Sequence, residues 1–121
     1  MTTWRSFCAA CCLLILSEAT HAALSQQARQ EIDGLLKFVE SSGCSFIRNG
    51  ESHSPVDARA HLQKKFDYLA DKDKLASAED FIEHAATESS ISGEPYSVDC
   101  AGQKQLSGEW LRQELQRLRK P

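Results

Sequence analysis

Cys44-Ser45-Phe46-Ile47 and Tyr96-Ser97-Val98-Asp99-Cys100 are the two stretches that decide the fold. Both are short runs with the apolar and aromatic residues that favour pleated backbone. Cys44 opens the first and Cys100 closes the second. An antiparallel pairing therefore sets the cysteines opposite each other, then Phe46 opposite Val98 and Arg48 opposite Tyr96. A parallel pairing would hold the two sulfurs farther apart than a disulfide can reach. Phe46, Val98 and Tyr96 share one apolar face, ready to receive helices, and Arg48 ends that row as a charge.

Whether the cysteines bond depends on the compartment, and the start of the chain speaks to that. Met1 to Arg5 is short and net positive, Ser6 to Leu16 is uncharged and apolar, and a polar segment ends in Thr20-His21-Ala22. This is the order of a cleaved secretory signal. The apolar run is about 11 residues, against the roughly 20 that a spanning helix needs, so a retained anchor is not expected. Cleavage after Ala22 places small Ala22 and Thr20 at the positions that need small side chains, whereas cleavage after Ala23 would place bulky His21 there. A lipidated cysteine fits poorly, because Cys11 has few apolar residues before it and Cys12 precedes much of the run. The expectation is residues 1–22 as signal peptide, export to the periplasm, and no membrane attachment after cleavage. Cys8, Cys11 and Cys12 leave with the leader, so the five cysteines of the chain reduce to Cys44 and Cys100. An even pair in an oxidising compartment reads as a disulfide. Their wide spacing matches neither a redox CxxC nor a zinc knuckle.

Residues 23–121 are enough for one small domain and too few for two. Arg5 and Glu18 are removed together, so the net charge of -3 is unchanged. No basic patch points to nucleic acid. Along this domain Ser25 caps a helix carrying Ala28, Ile32, Leu35, Leu36 and Val39 at helical spacing, stopped by Ser41-Ser42-Gly43. After the first strand Asn49-Gly50 is a turn. Ser54-Pro55 with Asp57 starts a second helix bearing Ala58, Leu62, Lys65, Phe66 and Leu69 on one face. Ser77 with Asp80 starts a third, holding Phe81, Ile82, Ala85 and Ala86. Ser89 to Pro95 reads as a loop. Ser107 is the expected cap of a last helix, with Trp110, Leu111, Leu115 and Leu118 inward and Arg112, Arg117, Arg119 and Lys120 outward. The expected fold is α+β, in the order α-β-α-α-β-α: four helices packed around a short two-stranded antiparallel ribbon, with one disulfide.

Several short segments in order, Arg48-Asn49-Gly50 with His53, Ala58, His61-Leu62 and Lys65, Ala78-Glu79, Phe81-Ile82, Ser89-Ser90-Ile91, Gly93, Pro95-Tyr96 and Val98, resemble the YfeK-like family of small exported bacterial proteins, a domain of unknown function. The resemblance runs from Ile32 to Val98. It implies a periplasmic protein with a cleaved leader and brings no activity with it.

The polar residues of these segments form the candidate site. His61 and Lys65 lie four apart on the second helix, at the edge of its apolar stripe. His53, Arg48 and Asn49 precede that helix. The antiparallel pairing returns Ser89, Ser90 and Tyr96 beside Arg48. Arg48, Asn49, His53, His61, Lys65, Ser89, Ser90 and Tyr96 are thus expected at one end of the ribbon, where an arginine fork and a flat aromatic face suit an anionic or sugar-like ligand. Each also has an ordinary structural role available: Asn49-Gly50 as a turn, His53 as a helix cap, Arg48 on carbonyls at a helix end, the serines as loop-formers. A non-catalytic module binding a small polar ligand or an envelope protein is the first reading. A small envelope hydrolase using Ser90 with His61 or His53 is the second, although no GxSxG elbow surrounds Ser90. His53, His61 and His84 lack HExxH spacing, so neither a metal nor a cofactor is expected.

Overall fold

The computed structural model describes residues 24–121; the expected leader, residues 1–22, lies outside them. The order is α1 (Gln26–Ser41), β1 (Ser45–Arg48), β2 (Glu51–His53), α2 (Pro55–Asp71), α3 (Ala78–Ala85), β3 (Ser97–Cys100), β4 (Gln103–Leu106) and α4 (Ser107–Arg119). The class is α+β as expected, but the ribbon is a four-stranded antiparallel sheet ordered β2-β1-β3-β4. No helix among the described residues is long and apolar enough to cross a membrane.

The central pair has the register that the cysteines require: Ser45 opposite Asp99, Phe46 opposite Val98 and Ile47 opposite Ser97. Cys44 and Cys100 form a disulfide with Cα atoms 4.4 Å apart. The two strands outside the expected ribbon are its hairpin partners. Asn49 and Gly50 both have positive φ, 49° and 78°, and this two-residue turn folds Glu51–His53 back on β1. Ala101 and Gly102 do the same at φ 54° and 88°, and the amide of Gly102 donates to Oδ1 of Asp99 at 2.8 Å, folding Gln103–Leu106 back on β3. Both partners are edge strands, short and polar (ESH and QKQL), so they carry no apolar alternation to announce them.

The first three helices start where their capping residues predict. Ser25, Ser54 and Ser77 accept hydrogen bonds from the amides of Ala28, Asp57 and Asp80, each at 3.1 Å. Ser54, not His53, caps α2. Ser107 is not the cap of α4: Leu106 occupies that position without a side-chain bond, because β4 runs straight into the helix and draws Ser107 inside, where its amide donates to the Tyr96 carbonyl at 2.9 Å. The core lies where the helices meet one face of the sheet and includes Leu35, Leu62, Phe81, Ile82 and Leu111, all fully buried, with Phe46, Tyr96 and Val98 from the sheet. Leu118 is half exposed and not an inward position. Its Cδ1 sits 3.1 Å from where a Cβ on Gly34 would stand, so glycine there lets α1 and α4 approach. Arg119 closes the helical layer by ion pairs to Glu31 and Glu79 at 2.7 and 2.9 Å.

Candidate functional site

Tyr96 is the pivot of the site. Its backbone is clamped twice, by its amide donating to the Thr87 carbonyl at 2.8 Å and its carbonyl accepting from Ser107. Its ring is buried against Phe46, with centroids 5.2 Å apart. Its hydroxyl reaches past the core edge to α2, where Nε2 of His61 lies at 3.2 Å and Nζ of Lys65 at 3.3 Å. His61 and Lys65 meet there because i,i+4 spacing puts them on one face of α2. Arg48, at the end of β1, points its Nη1 at His61, 2.6 Å from Nδ1 and 3.1 Å from Nε2. Lys65 also donates to the Glu88 carbonyl at 3.2 Å, and its ammonium stands 5.0 Å from the centre of the Tyr96 ring.

The proton arrangement follows from donor chemistry. Arginine only donates, so the near nitrogen of His61, Nδ1, must accept, which leaves Nε2 as the N–H that donates to the Tyr96 oxygen. Lys65 donates to the same oxygen. With two donors on it, that oxygen directs its own O–H away from both. Burial first, then the charges of Arg48 and Lys65, lower the His61 pKa from 6.5 to about 4, so the ring is neutral at pH 7. Burial and then Arg48 hold the Lys65 ammonium below its ordinary value, and burial pushes the Tyr96 hydroxyl up. Among the described residues neither Arg48 nor Lys65 is in an ion pair, and the Glu88 carboxylate acts on Lys65 only from farther away, opposing the other two effects. Two cations therefore converge on one neutral pair, His61 and Tyr96, in the chain Arg48–His61–Tyr96–Lys65.

Seven of the eight residues singled out in the sequence line one pocket of about 350 Å³: Arg48, Asn49, His61, Lys65, Ser89, Ser90 and Tyr96, with Ile91 beside them. That volume is in the range of small-molecule sites. His53 is the exception. It lines an adjoining pocket of about 340 Å³ with Phe46, Asp57 and Lys64, and the two pockets share Arg48 and His61. The Nε2 of His53 is buried without a hydrogen-bond partner, Glu51 being 3.9 Å away.

Not every lining residue is free for a ligand. Ser89 is buried, and its Oγ accepts from the amides of Ile91 and Ser92 at 3.3 and 3.2 Å. Asn49 accepts from Oγ of Ser92 at 2.6 Å, tying the β1–β2 turn to the loop. Their structural roles are the ones realised, and they shape the pocket. Ser90 is exposed, and among the described residues its Oγ bonds neither His61 nor His53, so the oriented base a serine hydrolase needs is not in place. Ile91 is the lining residue that the polar reading of the sequence passed over; an isoleucine inside a serine- and glycine-rich loop was its signal. Elsewhere Asp80, Glu83 and His84 bring one ligand atom each within 4.8 Å of one another on α3, but Oδ2 of Asp80 accepts from the amide of Ala76 at 2.9 Å, which accounts for its position.

Residues 26–119 match a family of unknown function, DUF5329. The chain is 31% identical over 84 residues to the uncharacterized protein YfeK of Salmonella typhimurium, an alignment covering 69% of this chain and 68% of that protein. No solved structure matches.

Proposed function

The chain belongs to the DUF5329 family of unknown function, in agreement with the YfeK-like resemblance of its sequence, and from that premise we propose that it is a small non-catalytic binding module of the bacterial cell envelope. It is exported to the periplasm through a cleaved leader and takes a small polar ligand between β1, α2 and the loop after α3. The observation that carries this reading is the convergence of Arg48 and Lys65, neither paired with a carboxylate among the described residues, on the walls of one 350 Å³ pocket. Two adjacent cations repel each other, and a bound polar or anionic group relieves that cost. The pocket is also prepared in advance. The disulfide fixes β1 to β3, and neutral His61 accepts from Arg48 and so holds the guanidinium in place. Little ordering remains to be done on binding.

The test is a thermal-shift screen of the mature protein against small anions, sugars and amino acids. A ligand of the pocket raises the melting temperature of the wild type and leaves Arg48→Gln and Tyr96→Phe unmoved, while both variants keep the wild-type circular dichroism. Equal shifts in wild type and Arg48→Gln would place the ligand elsewhere and overturn the reading.

A further inference from the structure

Ile91 is 99% exposed, on a loop that is held rather than loose. The amide of Ser89 donates to the Glu94 carbonyl and the amide of Gly93 to the Ser89 carbonyl, both at 2.9 Å. Oγ of Ser89 accepts from the amides of Ile91 and Ser92, and Ser92 donates to Asn49 across the pocket mouth. These bonds hold the loop backbone that displays a large aliphatic side chain in water, at a cavity that Arg48 and Lys65 also line. Tyr96 lines the same cavity but is buried, its ring packed on Phe46.

From this juxtaposition we infer that the pocket takes an amphipathic carboxylate, its anionic head on Arg48 and Lys65 and its apolar tail against Ile91. This deepens the binding-module reading and rests on it. The head group is met by charge-assisted donors, the Arg48 guanidinium and the Lys65 ammonium, with the exposed hydroxyl of Ser90 beside them. The tail covers the one large aliphatic group that the loop displays over the site, removing it from water. A bare inorganic anion would satisfy the cations and leave Ile91 uncovered. A neutral apolar molecule would leave the two cations as they are. The shared chemistry has two sources, a short acyl chain or the apolar C-terminal residue of a peptide.

The experiment is calorimetric titration of the mature, disulfide-bonded protein with octanoate, N-acetylleucine, N-acetylleucine amide and acetate. Octanoate or N-acetylleucine is expected to bind at least about tenfold more tightly than acetate, and N-acetylleucine at least about tenfold more tightly than its amide. Which of the first two binds better distinguishes the acyl from the peptide source. Ile91→Ser, at a position that packs against nothing, is expected to weaken the tailed carboxylates about three- to tenfold and leave acetate unchanged. Arg48→Gln is expected to weaken every anion at least about tenfold. Acetate binding as tightly as octanoate and N-acetylleucine, or Ile91→Ser leaving all four unchanged, would overturn the inference. Absence of binding by all four would overturn it as well, and a sugar still binding in an Arg48-dependent way would then show that the binding-module reading stands without it.

Discussion

Replacing both Cys44 and Cys100 by alanine should cost this protein a large part of its stability. The bond joins residues separated by 56 positions, and the closed loop contains β1, β2, α2, α3 and most of β3. On chain-entropy grounds, closing a loop of that length restricts the unfolded ensemble by about 4 kcal/mol. A domain of this size has a total of roughly 5–10 kcal/mol. At roughly 4–8 °C per kcal/mol, the double variant should melt well over ten degrees below the oxidised wild type. The assay is a thermal melt by circular dichroism of wild type, reduced wild type and the double variant, with thiol titration of the denatured oxidised protein as the control. The pocket should suffer with the fold, because Arg48 stands on one strand of the stapled pair and Tyr96 directly precedes the other. A double variant melting within a few degrees of the wild type would refute the reasoning, as would two free thiols in protein prepared without reductant.

Two further outcomes follow from the same geometry and a third from the sequence of the leader. Stability should fall with pH between 6.5 and 4 and be flat just above that window, because the unfolded chain protonates His61 at 6.5 while the folded chain resists down to about 4; for a half-buried ring the effect is about 1 kcal/mol after solvent screening, and His61→Gln should lose that part of the slope in urea titrations at pH 4.5 and 7. Leu62→Ala, at a fully buried position of α2, should cost roughly 2–5 kcal/mol by denaturant unfolding, whereas Ile91→Ser should cost nothing measurable. Mass spectrometry of protein from the periplasm should find an N-terminus at Ala23 or within a residue or two of it, and an intact Met1 on a membrane-bound product would contradict export.

The central register was legible because two constraints coincided: cysteines at opposite ends of two β-prone runs permit only the antiparallel alignment, and Phe46 opposite Val98 follows from it. The outer strands were not legible in the same way. Asn49-Gly50 is a strong hairpin signal, yet Glu51-Ser52-His53 reads as a linker to the Ser54 cap, since an edge strand needs no apolar face. Gln103–Leu106 was hidden twice, by its polar composition and by Ala101, a residue that seldom takes positive φ. The convergence of the site residues followed from the pairing and the i,i+4 spacing, both readable in sequence. What spacing cannot convey is who bonds to whom. Ser89 and Asn49 turn out to hold the loop, His53 faces the neighbouring pocket, and Ile91 owes its place to hydrogen bonds made by serines.

Everything proposed about function rests on the Arg48–His61–Tyr96–Lys65 pocket being a ligand site, and amide chemical-shift mapping tests that most directly. Isotopically labelled mature protein would be titrated with the low-molecular-mass fraction of a bacterial envelope extract. The account predicts shifts concentrated on Arg48, Lys65, Ser90, Ile91 and Tyr96, and absent from the Arg48→Gln protein. Shifts confined to another face, or unchanged by Arg48→Gln, would contradict it.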